Sequence, residues 1–225
     1  MIVQTTISDI EATLSFYKKL NFEVLNLGDK YVFQSNSVQL QAETKKSSRK
    51  GIVLYKGDIG LDVQPLIESS VNSQTETETI IMAPSGALVY LLEGNAPLLN
   101  KVDATPLVGT FVGVSLESLD LNKSMAFWEQ LGFKMAMGDA AQGWVSLSNA
   151  TGDIISVMRA GMCPHQFSNP SLTFFNGSNN LEVIEKVRAN QISIKEEITV
   201  FSKEGIVDNI VLEDPDGFGF FVFND

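Results

Sequence analysis

The chain repeats itself, and the repeat limits its architecture more than any other feature does. Ser15-Phe16-Tyr17-Lys18-Lys19-Leu20-Asn21-Phe22-Glu23-Val24 aligns with Ala126-Phe127-Trp128-Glu129-Gln130-Leu131-Gly132-Phe133-Lys134-Met135 at an offset of 111 in 225 residues. A second marker, Ala83-Pro84-Ser85-Gly86 ahead of Ala87-Leu88-Val89-Tyr90, recurs as Asp214-Pro215-Asp216-Gly217 ahead of Phe218-Gly219-Phe220-Phe221, at an offset of 131. Two different markers in the same order argue for two copies of one structural unit. The second copy is about 20 residues longer between its markers, and loops around 136–143 and 161–170 are expected to hold the excess.

Both markers have a physical reading. Ile10, Leu14, Tyr17 and Leu20 follow the spacing of one stripe on an amphipathic helix, and Leu121, Met125, Trp128 and Leu131 repeat it. Ser8 with Glu11 reads as a capping box, and Asp120 as the N-cap of the second copy. Asn21 and Gly132 then stand where a helix C-terminus asks for a left-handed residue. Pro84-Ser85-Gly86 and Pro215-Asp216-Gly217 supply the fixed and the permissive residue of a tight turn ahead of an apolar strand. Asp214 and Asp216 are accordingly assigned to turn hydrogen bonding. Asp58 and Asp62, just before Pro65, are assigned to a helix start.

The same signals divide each half again. The first half is expected to run strand 2–5, a helix, strands 30–34 and 37–42, strand 52–55, a helix near 65–71, then strands 79–82 and 87–92. The polar stretch 69–79 reads as a loop. The second half is expected to run strand 110–114, helix 121–131, strands 143–147 and 153–158, strand 172–175, helix 181–190, then strands around 198–201, 206–213 and 218–223. Domains at 1–94 and 107–225 follow, joined by a linker at 95–106 that holds Pro97 and Pro106.

Composition removes several function classes. The 16 Lys and Arg against 27 Asp and Glu leave a net charge of −11, which repels phosphate backbones, so nucleic acid is not an expected partner. One Cys excludes a disulfide framework and a multi-thiolate zinc site, and one His excludes paired-His metal motifs. No basic leader with an apolar run and no twenty-residue apolar window is found, so neither membrane nor export is expected and the cytoplasm is the default location.

Helix ends reading Phe-Tyr-x-x-Leu-x-Phe and Phe-Trp-x-x-Leu-Gly-Phe, with a closing Asp-Pro-Asp-Gly turn before a last strand, resemble the vicinal oxygen chelate superfamily of glyoxalase I, extradiol dioxygenases and bleomycin resistance proteins. The resemblance implies an α+β fold of four βαβββ modules, paired into two cup-shaped mixed sheets. It also implies a divalent metal held by His, Glu or Gln on the cup floor. The last-strand ligand position falls on Tyr90 and Phe221, and the first-strand position on Ile2 and around 111–113. In the even-numbered modules it falls near Ile52 and near Ser171 or Leu172. None of these is a side chain of the expected type. No catalytic residue, metal or cofactor is therefore assigned.

What remains is a set of candidate ligand-binding residues. Gln4 shares the cup-facing parity of Ile2, and Gln39 and Gln41 alternate with Val38 and Leu40. Tyr55, Tyr90, Trp144 and Phe221 are candidate aromatic lining, with Tyr90 and Phe221 expected on the cup floor. Other rings, such as Phe33, Phe174 and Phe220, would divide between the cup and the helix-packed face. Cys163-Pro164-His165 pairs a thiol with an imidazole, but lies in a loop with no orienting third residue, and is not assigned to catalysis.

The leading expectation is a metal-independent protein of the glyoxalase and bleomycin-resistance type, with an aromatic cup that binds a small organic molecule. The acidic charge favours a cation as that molecule. A divergent metal-dependent lyase or dioxygenase and a non-catalytic protein-interaction scaffold are the alternatives. Four modules in one chain could complete an internal pseudo-dimer, so a monomer or a homodimer is expected.

Overall fold

A computed structural model describes residues 1–45, 48–97 and 102–224. The fold class expected from the resemblance is the one observed. Residues 2–92 form one eight-stranded mixed sheet and residues 111–223 form another. In the first half the modules are β1 (Ile2–Thr6), α1 (Ile10–Lys19), β2 (Glu23–Asn26), β3 (Lys30–Gln34) and β4 (Gln39–Glu43), then β5 (Gly51–Tyr55), α2 (Lys56–Ile59), α3 (Gln64–Ser70), β6 (Val71–Gln74), β7 (Glu78–Met82) and β8 (Leu88–Leu92). The second half repeats them as β9 (Phe111–Ser118), α4 (Leu121–Gln130), β10 (Lys134–Asp139), β11 (Trp144–Ser148) and β12 (Ile154–Arg159), then β13 (Ser171–Phe175), α5 (Asn180–Ala189), β14 (Ile194–Ile198), β15 (Asn209–Glu213) and β16 (Gly219–Phe223).

Strand order is β2-β3-β4-β1-β5-β8-β7-β6 in one sheet and β10-β11-β12-β9-β13-β16-β15-β14 in the other. Neighbouring modules in the chain therefore share a sheet, meeting at the antiparallel β1/β5 and β9/β13 pairs. The sequence alone left open whether module one pairs with module two or four. The linker expected at 95–106 includes residues 98–101, which lie outside the described residues.

Helix ends explain why the first marker repeats. Tyr17 and Trp128 each offer their carbonyl to the amide two residues beyond the helix cap (Phe22 at 3.0 Å, Phe133 at 3.1 Å), closing a Schellman turn around Asn21 (φ 64°) and Gly132 (φ 85°). At the other end the structure departs from the capping box expected at Ser8. Asp9 is the N-cap of α1, its carboxylate accepting from the Ala12 amide at 3.0 Å. The short acidic side chain reaches the free amide directly. Asp120 caps α4 as expected, accepting from Lys123.

Three strands went unseen in the sequence. β2, β6 and β10 sit at or near sheet edges, and every residue of β6 is exposed. Without a buried face there is no period-two alternation to read. The loops expected at 69–79 and 136–143 are thus partly strand.

Period-two geometry sends alternate side chains to opposite faces. One face of each sheet joins the helices in a single core that includes Val3, Phe33 and Leu40 from the first sheet and Val114, Phe174 and Phe220 from the second. Tyr17 stacks on Phe33 with ring centroids 3.9 Å apart and lies 6.1 Å from Phe220, so α1 touches both sheets. The opposite faces are the cups.

Candidate functional site

The cup floors are defined by strand register. In the first sheet Ile2 pairs with Val53 and Val53 with Tyr90, giving a central row Ile2–Val53–Tyr90. In the second, Gly113 pairs with Thr173 and Thr173 with Phe221. These two rows occupy the positions where the resemblance implies metal ligands. The even-module position, expected near Ile52 and near Ser171 or Leu172, resolves to Val53 and Thr173, because Ile52 and Leu172 turn into the core. Neither row carries an imidazole or a carboxylate. Among the described residues, no group of three or more His, Cys, Asp or Glu is placed to hold a metal ion. The residues present do not fit the superfamily's metal.

Each cup is instead crossed by the connection between its two modules. In the first, the Gln4 amide donates to Ser48 Oγ at 3.0 Å and to the Arg49 carbonyl at 3.2 Å, and it accepts from Gln41 Nε2 at 2.9 Å. The Tyr90 hydroxyl donates to the same Arg49 carbonyl at 3.0 Å. Gln4, Gln41 and Tyr90 are therefore brought together and buried, with their polar atoms spent on the chain itself. Burial raises the Tyr90 phenol pKa, so the ring stays protonated at neutral pH.

In the second cup the crossing is aromatic. Phe167 lies 4.9 Å from Phe221 between ring centroids, and His165 lies 5.0 Å from Phe221 and 5.2 Å from Phe223. His165 Nδ1 is 2.9 Å from the Gln166 carbonyl. Cys163 in the same loop has its pKa pushed up to about 11 by burial and by the Glu117 carboxylate, so it is a thiol at neutral pH and a poor nucleophile. The remaining cup wall is more open. Trp144, Ser146, Ser156 and Met158 are half-buried on it, and the Ser115 and Thr173 hydroxyls share a hydrogen bond of 2.6 Å.

The candidates divide accordingly. Gln4, Gln41 and Tyr90 form one cluster; Phe221 is buried under Phe167; Trp144 stands on the other wall of the second cup. Gln39 lies apart, on a cavity of about 240 Å³ with Ser37 and Phe111. Tyr55 lines a cavity of about 350 Å³ with Ile2, Val53 and Asp58, and burial and then Asp58 raise its pKa.

The largest of the described cavities, about 890 Å³, lies where the cup-facing residues Thr6 and Leu88 meet the crossing segment. Ser48 lines this cavity too, so it adjoins the bonded Gln4, Ser48 and Tyr90 cluster at one end of the first cup. Lys45, Arg49 and Lys50 line the larger one, and Asn169 and Asp216 reach it from the second half. Sequence reasoning did not pick out these cations. The signal was available: Lys45, Lys46, Arg49 and Lys50 place four of the sixteen basic residues within six positions.

No family model and no curated protein matches this chain. Solved structures do match. A catechol 2,3-dioxygenase aligns over 98% of this chain and 85% of its own, with a TM-score of 0.57 and 12% identity. The Mn(II)-bound glyoxalase from Novosphingobium aromaticivorans aligns over 98% and 79%, with a TM-score of 0.60 and 15% identity. Homoprotocatechuate 2,3-dioxygenase from Arthrobacter globiformis aligns over 98% and 78%, with a TM-score of 0.62 and 12% identity.

This is the vicinal oxygen chelate fold. At 12–15% identity the likeness establishes the architecture and not the chemistry. At the cup centre of the vicinal oxygen chelate fold the present chain carries Ile, Val and Tyr across one floor and Gly, Thr and Phe across the other.

Proposed function

We propose that the protein binds a small organic molecule without a metal ion, as a sequestering member of the glyoxalase and bleomycin-resistance type, and that the ligand sits in the 890 Å³ cleft at the end of the first cup. The observation carrying this reading is the chemistry of the two central rows, Ile2–Val53–Tyr90 and Gly113–Thr173–Phe221. A neutral, largely apolar floor offers no Lewis acid a seat, whereas a concave cavity of this size is typical of small-ligand sites. Thr6, Ser8 and Ser48 supply hydroxyls beside the apolar Ile7, Ile10 and Leu88.

Metal analysis of protein purified without chelator tests the first part. Well under one equivalent of manganese, iron, nickel or zinc is expected; one tightly held equivalent would restore the alternative of a metal-dependent dioxygenase or lyase. Thermal denaturation against a panel of aromatic and amphiphilic compounds tests the second part. A ligand at 100 times its Kd stabilises the folded state by about 2.7 kcal/mol, a shift readily seen. A panel without any stabilising compound sinks the binding reading.

The second cup supports a different reading for its own half. With His165 and Phe167 packed on Phe221 and Phe223, that floor is filled by the chain, as a non-catalytic scaffold would require. In a Trp128→Phe background only Trp144 emits. Quenching of Trp144 by a compound of the panel would show the second cup open and end the scaffold reading.

A further inference from the structure

We infer that the cleft at the end of the first cup selects an organic anion, a carboxylate or phosphate ester with an apolar body. The inference rests on the small-molecule reading and names the ligand class. Three cationic side chains, Lys45, Arg49 and Lys50, line one wall of the cleft; Lys45 Nζ also lies 3.8 Å from the Glu43 carboxylate, Arg49 Nη1 donates to the Ser48 carbonyl at 2.8 Å, and Lys50 acts on the Asp214 carboxyl. A single carboxylate, Asp216, lines it from the second half, and both its oxygens accept from the Ser8 amide at 3.1 Å. Asp216 thereby joins the two halves and sets one negative charge against the three positive ones that line the cleft. Beside these charges lie Ile7, Leu88 and Ile10, the last 42% exposed although it belongs to the apolar stripe of α1. A ligand with an apolar body would cover Ile10 while its anionic group met the cations.

Net charge and local charge point in opposite directions here. The molecule as a whole carries −11, which would draw cations to its surface. A concave site with a cationic wall in an otherwise acidic molecule focuses an anion into that one place and repels it elsewhere. Guanidinium and ammonium groups together suit both carboxylate and phosphoryl oxygens.

Four probes with one ring system separate the possibilities in isothermal titration calorimetry: 2-naphthoate, 2-naphthyl phosphate, 2-naphthalenemethanol and a naphthyl trimethylammonium salt. One or both anions should bind more tightly than the alcohol, with affinity falling as salt rises, and their ratio tells carboxylate from phosphate. The triple variant Lys45→Gln/Arg49→Gln/Lys50→Gln should weaken anion binding roughly tenfold, as three partly exposed ion pairs imply, and leave the alcohol unchanged. Asp216→Asn, which keeps an acceptor for Ser8 and removes the opposing charge, should tighten anion binding about twofold or more. Anion binding that is unchanged in both variants, or tighter binding of the ammonium probe, overturns the inference and leaves small-molecule binding standing. Failure of all four probes together with the whole thermal panel overturns the binding reading and this inference with it.

Discussion

Asp214 serves two structures with one carboxylate. Its Oδ1 accepts from the Asp216 and Phe218 amides at 3.0 and 2.7 Å, the turn role read from the sequence. Its Oδ2 accepts from the Thr5 hydroxyl at 2.8 Å and the Tyr17 hydroxyl at 3.0 Å, 209 and 197 residues away. Asp214→Ala would strand four donors at a buried site, with an expected cost of about 2–4 kcal/mol in urea denaturation. Tyr17→Phe removes one donor and should cost about 1–2 kcal/mol. Burial, the largest influence on Asp214, raises its pKa, with the Phe218 amide, the Thr5 and Tyr17 hydroxyls and Lys50 opposing it. A carboxyl raised on folding stabilises most below its unfolded pKa and loses that contribution as pH rises through the folded value. In paired urea titrations the wild type should therefore lose stability relative to Asp214→Asn as pH climbs from the acid range towards neutrality. A difference that stays flat with pH would contradict this account.

At the scale of elements, the crossing segments decide what the cups can do. Gly51 begins β5 just after the first crossing, and a Cβ there would lie 2.6 Å from the Leu88 carbonyl and 2.7 Å from the Tyr90 ring. Gly51→Ala should displace Tyr90 and cost more than about 1 kcal/mol, visible as a lower urea midpoint and a changed near-ultraviolet circular dichroism. Gln4→Ala would strand the Gln41 amide and release Ser48 from its partner. Amides around Ser48 and Arg49 should then exchange faster with deuterium, while those of β3 keep their protection. The repeating helices, their caps at Asn21 and Gly132, and the turn at Asp214 were legible because each rests on interactions within a few residues. The crossings were not, since Gln4 and Tyr90 meet Ser48 and Arg49 across 41 to 45 residues with no local pattern to announce them. The cup-facing parity of Gln4 and Tyr90 was readable; what lay on top of them was not.

For the whole molecule, one core cluster contains helix-facing residues of both sheets. A shared core argues for one cooperative unfolding event, so far-ultraviolet circular dichroism and the emission of buried Trp128 should report the same midpoint. Two separated transitions would show that the halves unfold independently. The net charge is an average over 225 residues and does not show that Lys45, Arg49 and Lys50 line one cleft.

The pairing between the halves is also lopsided. The turn that holds Asp214 in the second half holds Ala83 in the first, and the helix that offers the Tyr17 hydroxyl in the first half offers Trp128 in the second. Among the described residues, Trp128 Nε1 is the buried side-chain polar atom left without a hydrogen-bond partner. Two first halves would bring a phenol with no carboxylate to receive it; two second halves would bring a carboxylate with no phenol. Expressed as separate polypeptides, the halves should complement each other rather than self-associate, and size-exclusion chromatography of the mixture should yield the one-to-one species.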